Sequence, residues 1–222
     1  MKNKLYALFA ATLLASALTT HGQPLFSFEG GLDGFVYSGF GAGAGNVTLA
    51  NSPIGATHGA DSLAISQFPG TFSWNAKRDN AGIDAFYNAM NAIAANESLY
   101  SLELDVTYRD ASIPDAATFL NLSLWVNSNN GFRDIHSLAF TPGHSDTTIH
   151  LSIPFSSFSG NADKLNENAT FYQMGIGMNG NWGPGTATVY FDNFYTVPEP
   201  STIVLLSLAG LGVWLRRRKT SR

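Results

Sequence analysis

Residues 99–108 read Leu-Tyr-Ser-Leu-Glu-Leu-Asp-Val-Thr-Tyr. Leu102, Leu104, Val106 and Tyr108 alternate with Glu103, Asp105 and Thr107. A period of two is that of a strand with one face buried and the other wet. The same alternation recurs over residues 119–126, 135–140, 148–155, 171–178 and 186–195. Weaker runs cover 26–29, 47–49, 62–66 and 71–74, bounded by Gly, Asn, Pro and Ser. Only residues 82–96 read as helix, with Ile83, Phe86, Tyr87, Met90 and Ile93 at i, i+3, i+4 spacing. About ten short strands and one short helix predict an all-β, two-sheet antiparallel sandwich over residues 24–196.

The chain has 222 residues, no cysteine, 22 glycines and a formal net charge of −4. Without cysteine it has no disulfide framework, no thiolate nucleophile and no Cys-ligated metal. Basic residues crowd the two ends: Lys2 and Lys4, then Arg216, Arg217, Arg218, Lys219 and Arg222. Between them, Glu199 aside, only Lys77, Arg78, Arg109, Arg133 and Lys164 face fifteen acidic residues. A body that acidic repels phosphate backbones, which excludes nucleic acid as a partner.

The ends read as addresses. Lys2 and Lys4 precede an apolar run over residues 5–18, followed by small residues. That order predicts a signal peptide over residues 1–22, removed by signal peptidase somewhere between positions 17 and 22. At the other end, Pro198-Glu199-Pro200 precedes an uncharged apolar stretch, 201–215, closed by Arg216, Arg217 and Arg218. Fifteen helical residues rise about 22 Å, short of the ~30 Å hydrocarbon core. Such a hydrophobic helix suits transient inner-membrane insertion, with the arginines cytoplasmic and the body outside.

Residues 197–222 resemble the PEP-CTERM sorting signal of Gram-negative bacteria. The resemblance implies export across the inner membrane, processing by an exosortase, and delivery to the cell envelope or the extracellular matrix of a biofilm. The body resembles galactose-binding-like and carbohydrate-binding-module jelly rolls. Its matching pieces are Phe26 to Phe35 (with Glu29), Gly59 to Ile65, and Val189 to Phe194 (with Asp192). In that group the first and last strands pair, and an N-terminal Glu and a near-terminal Asp help hold a structural calcium. The resemblance therefore implies Ca2+ at Glu29 and Asp192, with backbone oxygens near Gly59 and Asp61 completing the shell.

Motifs for chemistry are sparse. Glu103 and Asp105 begin the Glu-x-Asp-x-x-Glu strand of laminarinase-type hydrolases, but Tyr108 stands where the last Glu belongs, so the required carboxylate pair is missing. The five histidines, His21, His58, His136, His144 and His150, form no metal-ligand pair at recognisable spacing, and no nucleophile elbow occurs. No catalytic residue is assigned.

A better lead is Trp125. Its parity sets it opposite Leu124 and Val126, beside Asn121 and Asn127. Sugar rings stack on such aromatics while amides and carboxylates bind the hydroxyls. Glu103, Asp105, Arg109, His150 and Gln173 are expected as outward neighbours, with Trp74 and Trp182 at the rim. The alternative is an indole covered by the helix or a loop. The sequence thus predicts an exported, non-catalytic protein that binds or structures extracellular polysaccharide. An exported glycan-active enzyme and a matrix protein without a small ligand are the other readings.

Overall fold

The computed structural model describes residues 22–40, 46–67, 73–114, 119–129, 131–140, 146–160, 164–180 and 185–198. Residues 1–21 of the expected signal peptide and the C-terminal hydrophobic helix lie outside them. Two six-stranded antiparallel sheets pack face to face. The first contains β1 (Gln23–Phe26), β3 (Val47–Ser52), β4 (Ser62–Gln67), β6 (Tyr100–Tyr108), β9 (Thr147–Pro154) and β12 (Ala187–Pro198), in the order β3-β4-β12-β6-β9, with β1 also on β12. The second runs β10 (Ser159–Gly160), β8 (Gly131–Phe140), β7 (Leu120–Ser128), β11 (Tyr172–Gly180), β5 (Ser73–Asp79), β2 (Phe35–Phe40). The first and last strands pair, as the jelly-roll resemblance implies.

The inward half of the alternation lands as read, while Glu103, Asp105 and Thr107 on the outer face of β6 are buried rather than wet. Leu102, Leu104 and Val106 from one sheet, and Leu120, Leu122, Leu124 and Val126 from the other, meet in the core. Five phenylalanines, Phe26, Phe28, Phe35, Phe86 and Phe194, knit one end of it. Phe26 meets Phe35 edge-on at 4.9 Å, and Phe28 meets Phe194 edge-on at 5.8 Å. The helix α1 (Ala85–Ala95) closes that end through Phe86, Met90 and Ile93. Asp84 caps it, accepting from the Tyr87 N–H at 2.7 Å. Ile83 was expected on its apolar face. It precedes that cap and is 79% exposed.

Two polar contacts cross the interior. Asn75 on β5 donates to Gln67 on β4 and accepts from the Met178 N–H at 2.6 Å, joining the sheets. Arg133, 1% exposed on β8, makes a two-pronged bond to Glu97 at 2.7 and 3.0 Å. Glu97 opens the turn Glu97–Leu99 that leads into β6, and it also accepts from the Leu165 N–H. A buried guanidinium needs such a partner, so this pair fixes how the start of β6 sits on the second sheet.

Strand ends depart from the sequence reading for local reasons. β1 stops at Phe26 because Phe28 turns to φ 57°, with the Ser27 and Phe28 N–H groups bound by Asp33 Oδ2 at 2.7 and 2.8 Å. β2 and β10 were not expected, and β5 runs on to Asp79 through residues that read as polar loop. β12 continues past the expected boundary at 196 as far as Pro198, the last residue of its ladder.

Candidate functional site

The expected cluster around Trp125 divides between the two outer faces. Asn121, Trp125 and Asn127 lie on β7 of the second sheet, with Gln173 beside Asn127 on β11. Glu103 and Asp105 lie on β6 of the first sheet. Their side chains point away from the core on the far side of the sandwich, because Leu102, Leu104 and Val106 point into it. The two carboxylates therefore belong to a different surface from Trp125. This corrects their grouping as a single ligand site.

On the second sheet the pairing sets Phe132, Asn127, Gln173 and Asp79 side by side across four neighbouring strands. The polar members form a chain. Asn127 Nδ2 donates to Gln173 Oε1 at 2.7 Å, and Gln173 Nε2 donates to Asp79 Oδ1 at 2.7 Å. Lys77 pairs with Asp79 Oδ2 at 2.8 Å, and Val36, 51% exposed, adjoins Lys77 on β2. Adjacent strands are about 4.8 Å apart, so four of them spread these groups over roughly 14 Å.

Trp125 has the outward parity expected, yet it is only 5% exposed. Its indole lies against the backbone of β11: a Cβ added to Gly175 would fall 2.2 Å from its Cε2. Phe132 packs on it with ring centroids 5.5 Å apart. Its neighbours Ser123 and Asp134 are equally covered, at 5% each. Trp125 is therefore packed rather than offered to a ligand, covered by the β11 backbone at Gly175 and by Phe132. Asn121 and Asn127, towards the two ends of β7, stay partly exposed. Trp182 lies outside the described residues.

The outer face of the first sheet carries a closed ionic network. His150 on β9 bridges two carboxylates, with Nδ1 2.7 Å from Asp105 and Nε2 2.8 Å from Glu103. Ser152 donates to Glu103 at 2.6 Å, while Thr57 and Asn193 donate to Asp105 at 2.6 and 3.1 Å. The Asp105 bond is the main cause of a raised His150 pKa. Partial burial works against it, and the Glu103 bond adds to it. Burial pushes the Asp105 carboxyl up, but its bonds from Thr57, His150 and Asn193 outweigh that and leave it below the ordinary value. Arg109, the other expected neighbour, is tied to Asp146 at 2.7 Å.

Glu29 and Asp192 both hold the loop that enters β4. Glu29 accepts from the Ala60 and Asp61 N–H groups at 2.9 and 3.2 Å, and Gly59, at φ 78°, lets that carboxylate close in. Asp192 Oδ2 accepts from the Thr57 and His58 N–H groups at 2.7 and 2.8 Å. Its other oxygen is buried with no hydrogen-bond partner. A cavity of about 310 Å³, lined by Pro24, Phe26, His58, Asn193 and Tyr195 among others, opens beside this seam. Among the described residues no three His, Asp or Glu side chains converge as a metal-binding group.

Of the sorting residues, Pro198 ends β12, and Glu199, Pro200, Arg216, Arg217 and Arg218 lie outside the described residues. Residues 196–219 match the PEP-CTERM protein-sorting motif, the mark of an exported chain sorted by an exosortase. No curated protein sequence matches the chain. In structure it is similar to a carbohydrate-binding module of the β-sandwich superfamily, at 17% identity and TM-score 0.51 over 81% of this chain. It spans 63% of that chain's length. Two further matches are the C-terminal family 22 module of Clostridium thermocellum Xyn10B and a family 22 xylan-binding domain. The first has 17% identity and TM-score 0.47 over 78% of this chain and 89% of the other. The second has 16% identity and TM-score 0.48 over 82% and 98%. At 17% identity the first likeness establishes a two-sheet β-sandwich fold, and no more.

Two outcomes follow from this geometry. Trp125→Ala should cost about 3–5 kcal/mol in a denaturant melt, the loss of a packed aromatic; a change below about 1 kcal/mol would return the indole to the surface. His150 has a pKa raised on folding, so its contribution is complete below its unfolded value near 6.5 and is lost as pH rises through the folded one. Asp105, lowered on folding, contributes above its ordinary value and loses that contribution in acid. The melting temperature should therefore fall from pH 6 towards pH 9, and His150→Gln should flatten that limb. An equal slope in the variant would show that the bridge does not titrate with stability.

Proposed function

We propose that this chain is an exported, exosortase-processed protein of the Gram-negative envelope or extracellular matrix, and that its sandwich binds extracellular polysaccharide without cleaving it. In this reading residues 1–22 are the signal peptide, 24–196 the binding domain and 197–222 the sorting signal. The row Phe132–Asn127–Gln173–Asp79 carries it. One aromatic residue, two amides and a carboxylate in line across about 14 Å match the length of a few sugar units and the chemistry of their hydroxyls. The fold supports the same reading, and the sorting motif supports delivery to a surface where polysaccharide is met. Glu103 and Asp105 favour no hydrolytic reading, because His150, Ser152, Thr57 and Asn193 occupy their oxygens.

Affinity electrophoresis against a panel of neutral and acidic bacterial polysaccharides tests this. One of them should retard the wild-type domain, and Gln173→Ala with Asp79→Ala should weaken that binding about tenfold or more, since a hydrogen bond involving a charged group is worth ~1.5–3 kcal/mol. Glu103→Gln, on the opposite face, should bind as wild type. Retardation lost with Glu103→Gln and kept in the double variant would move the site to the other sheet.

We also propose that Ca2+ binds at the seam, held by Glu29, Asp192 and nearby backbone oxygens. The partnerless Asp192 Oδ1 supports this, since a buried anionic oxygen requires a counter-charge or donor. The ion would tie β1 and the β4 loop to β12 and stabilise the native state only. At calcium ~100 times Kd that is worth about 2.7 kcal/mol. A chelator should lower the melting temperature, and Glu29→Ala should abolish the response. A melt indifferent to chelator would leave the two acids as loop anchors alone.

A further inference from the structure

The sorting match begins at residue 196, and β12 ends at Pro198, so signal and sheet overlap. Thr196 is 4% exposed and paired on both edges, with Gln23 of β1 and Leu102 of β6. Val197 is paired with Ser101, and Pro198 with Tyr100. The first three residues of the signal are thus part of the folded sandwich, with no linker between. Proteins that read an extended segment take its backbone and alternate side chains into their own cleft. A strand paired on both edges, as at Thr196, offers no backbone edge, and at Val197 and Pro198 β6 occupies one edge and holds the segment on the sheet.

We propose that the sorting enzyme engages Pro198-Glu199-Pro200 only after residues 196–198 detach from β6 and β1, so that a local opening at the end of β12 gates processing. Such openings are set by the contacts of the terminal segment and lie well below the free energy of global unfolding. Val197 and Pro198 pair on one edge only, so they open first, and Thr196 marks where the firmly held sheet begins.

The absence of cysteine supplies a clean test. Facing residues of an antiparallel pair have Cα atoms about 4.5–5.5 Å apart, within the span of a disulfide, and export places the chain in an oxidising compartment. A Ser101→Cys, Val197→Cys pair should therefore lock the end of β12. The full-length chain is expressed in its native host and processing is followed by intact mass, as loss of the C-terminal hydrophobic segment. The locked chain should be processed at least about tenfold more slowly than wild type, and mild reductant should restore the rate. A Gly-Ser-Gly-Ser spacer placed between Val197 and Pro198 of the locked chain should restore it without reductant, because the motif then lies clear of the sheet. Single-cysteine variants control for folding. Wild-type processing of the locked chain, or a block that the spacer does not relieve, overturns the gate. The inference rests on the sorting reading, which has its own control: replacing Pro198, Glu199 and Pro200 by alanine should stop processing. If that variant is processed normally, both readings fail. If it is blocked while the locked chain is processed, only the gate fails.

Discussion

The sandwich depends on β12 being held along both edges. β6 pairs along one edge for most of its length, while the other is shared between β4, beside residues 187–191, and β1, beside residues 194–196. The handover falls at the bulge near Asn193, which sits at φ 56°. Asp192 binds the loop before β4, and Phe194 turns into the phenylalanine cluster that includes Phe26. Chain start and chain end are thereby closed against each other. At that joint the Asp192 carboxylate ties β12 to the loop that enters β4 through the Thr57 and His58 N–H groups.

The two outer faces satisfy their polar groups differently, and that difference separates scaffold from candidate surface. On the first sheet Glu103, His150 and Asp105 bond one another and their neighbours, so few polar valences point to solvent. On the second, each amide of the row keeps further donor or acceptor capacity after its bond to the next, and the Asp79 carboxylate has lone pairs beyond those met by Gln173 and Lys77. Trp125 stiffens that row from beside it, on the same face of the sheet. Packed across Gly175 and against Phe132, it leaves β7 and β11 little freedom to shift relative to each other, and a rigid row loses less entropy on meeting a ligand.

Most of the strands were legible because a half-buried strand writes its two environments into alternate residues. β2 was not legible: Phe-Val-Tyr-Ser-Gly-Phe shows no alternation, and its place at a sheet edge exposes Val36. The second half of β5, Asn-Ala-Lys-Arg-Asp, reads as loop because its charges are met by Asp84 and by each other rather than by water alone. Alternation also distinguishes the two faces of a strand without saying to which sheet the strand belongs. Glu103 and Trp125 therefore looked like neighbours although they point in opposite directions. Parity predicts which way Trp125 points, but whether it is exposed depends on what lies on top of it, and no local pattern encodes that. Gly175 was the available signal, since a glycine opposite a tryptophan leaves room for the ring to lie flat on the backbone.

The buried ion pair links the candidate surface to the exit of the chain. Glu97 stands three residues before Tyr100, the partner of Pro198, and it bonds Arg133, the immediate neighbour of Phe132 in the row. The Phe132–Asp79 row and the last residues of β12 therefore lie at the same end of the sandwich, on opposite sheets about 10 Å apart. Only Glu199 and Pro200 separate that end from the apolar stretch, a reach of roughly 10 Å. The Arg133–Glu97 pair therefore ties the edge of the row to the residues that lead into β6, and through the β6 ladder to the last residues of β12.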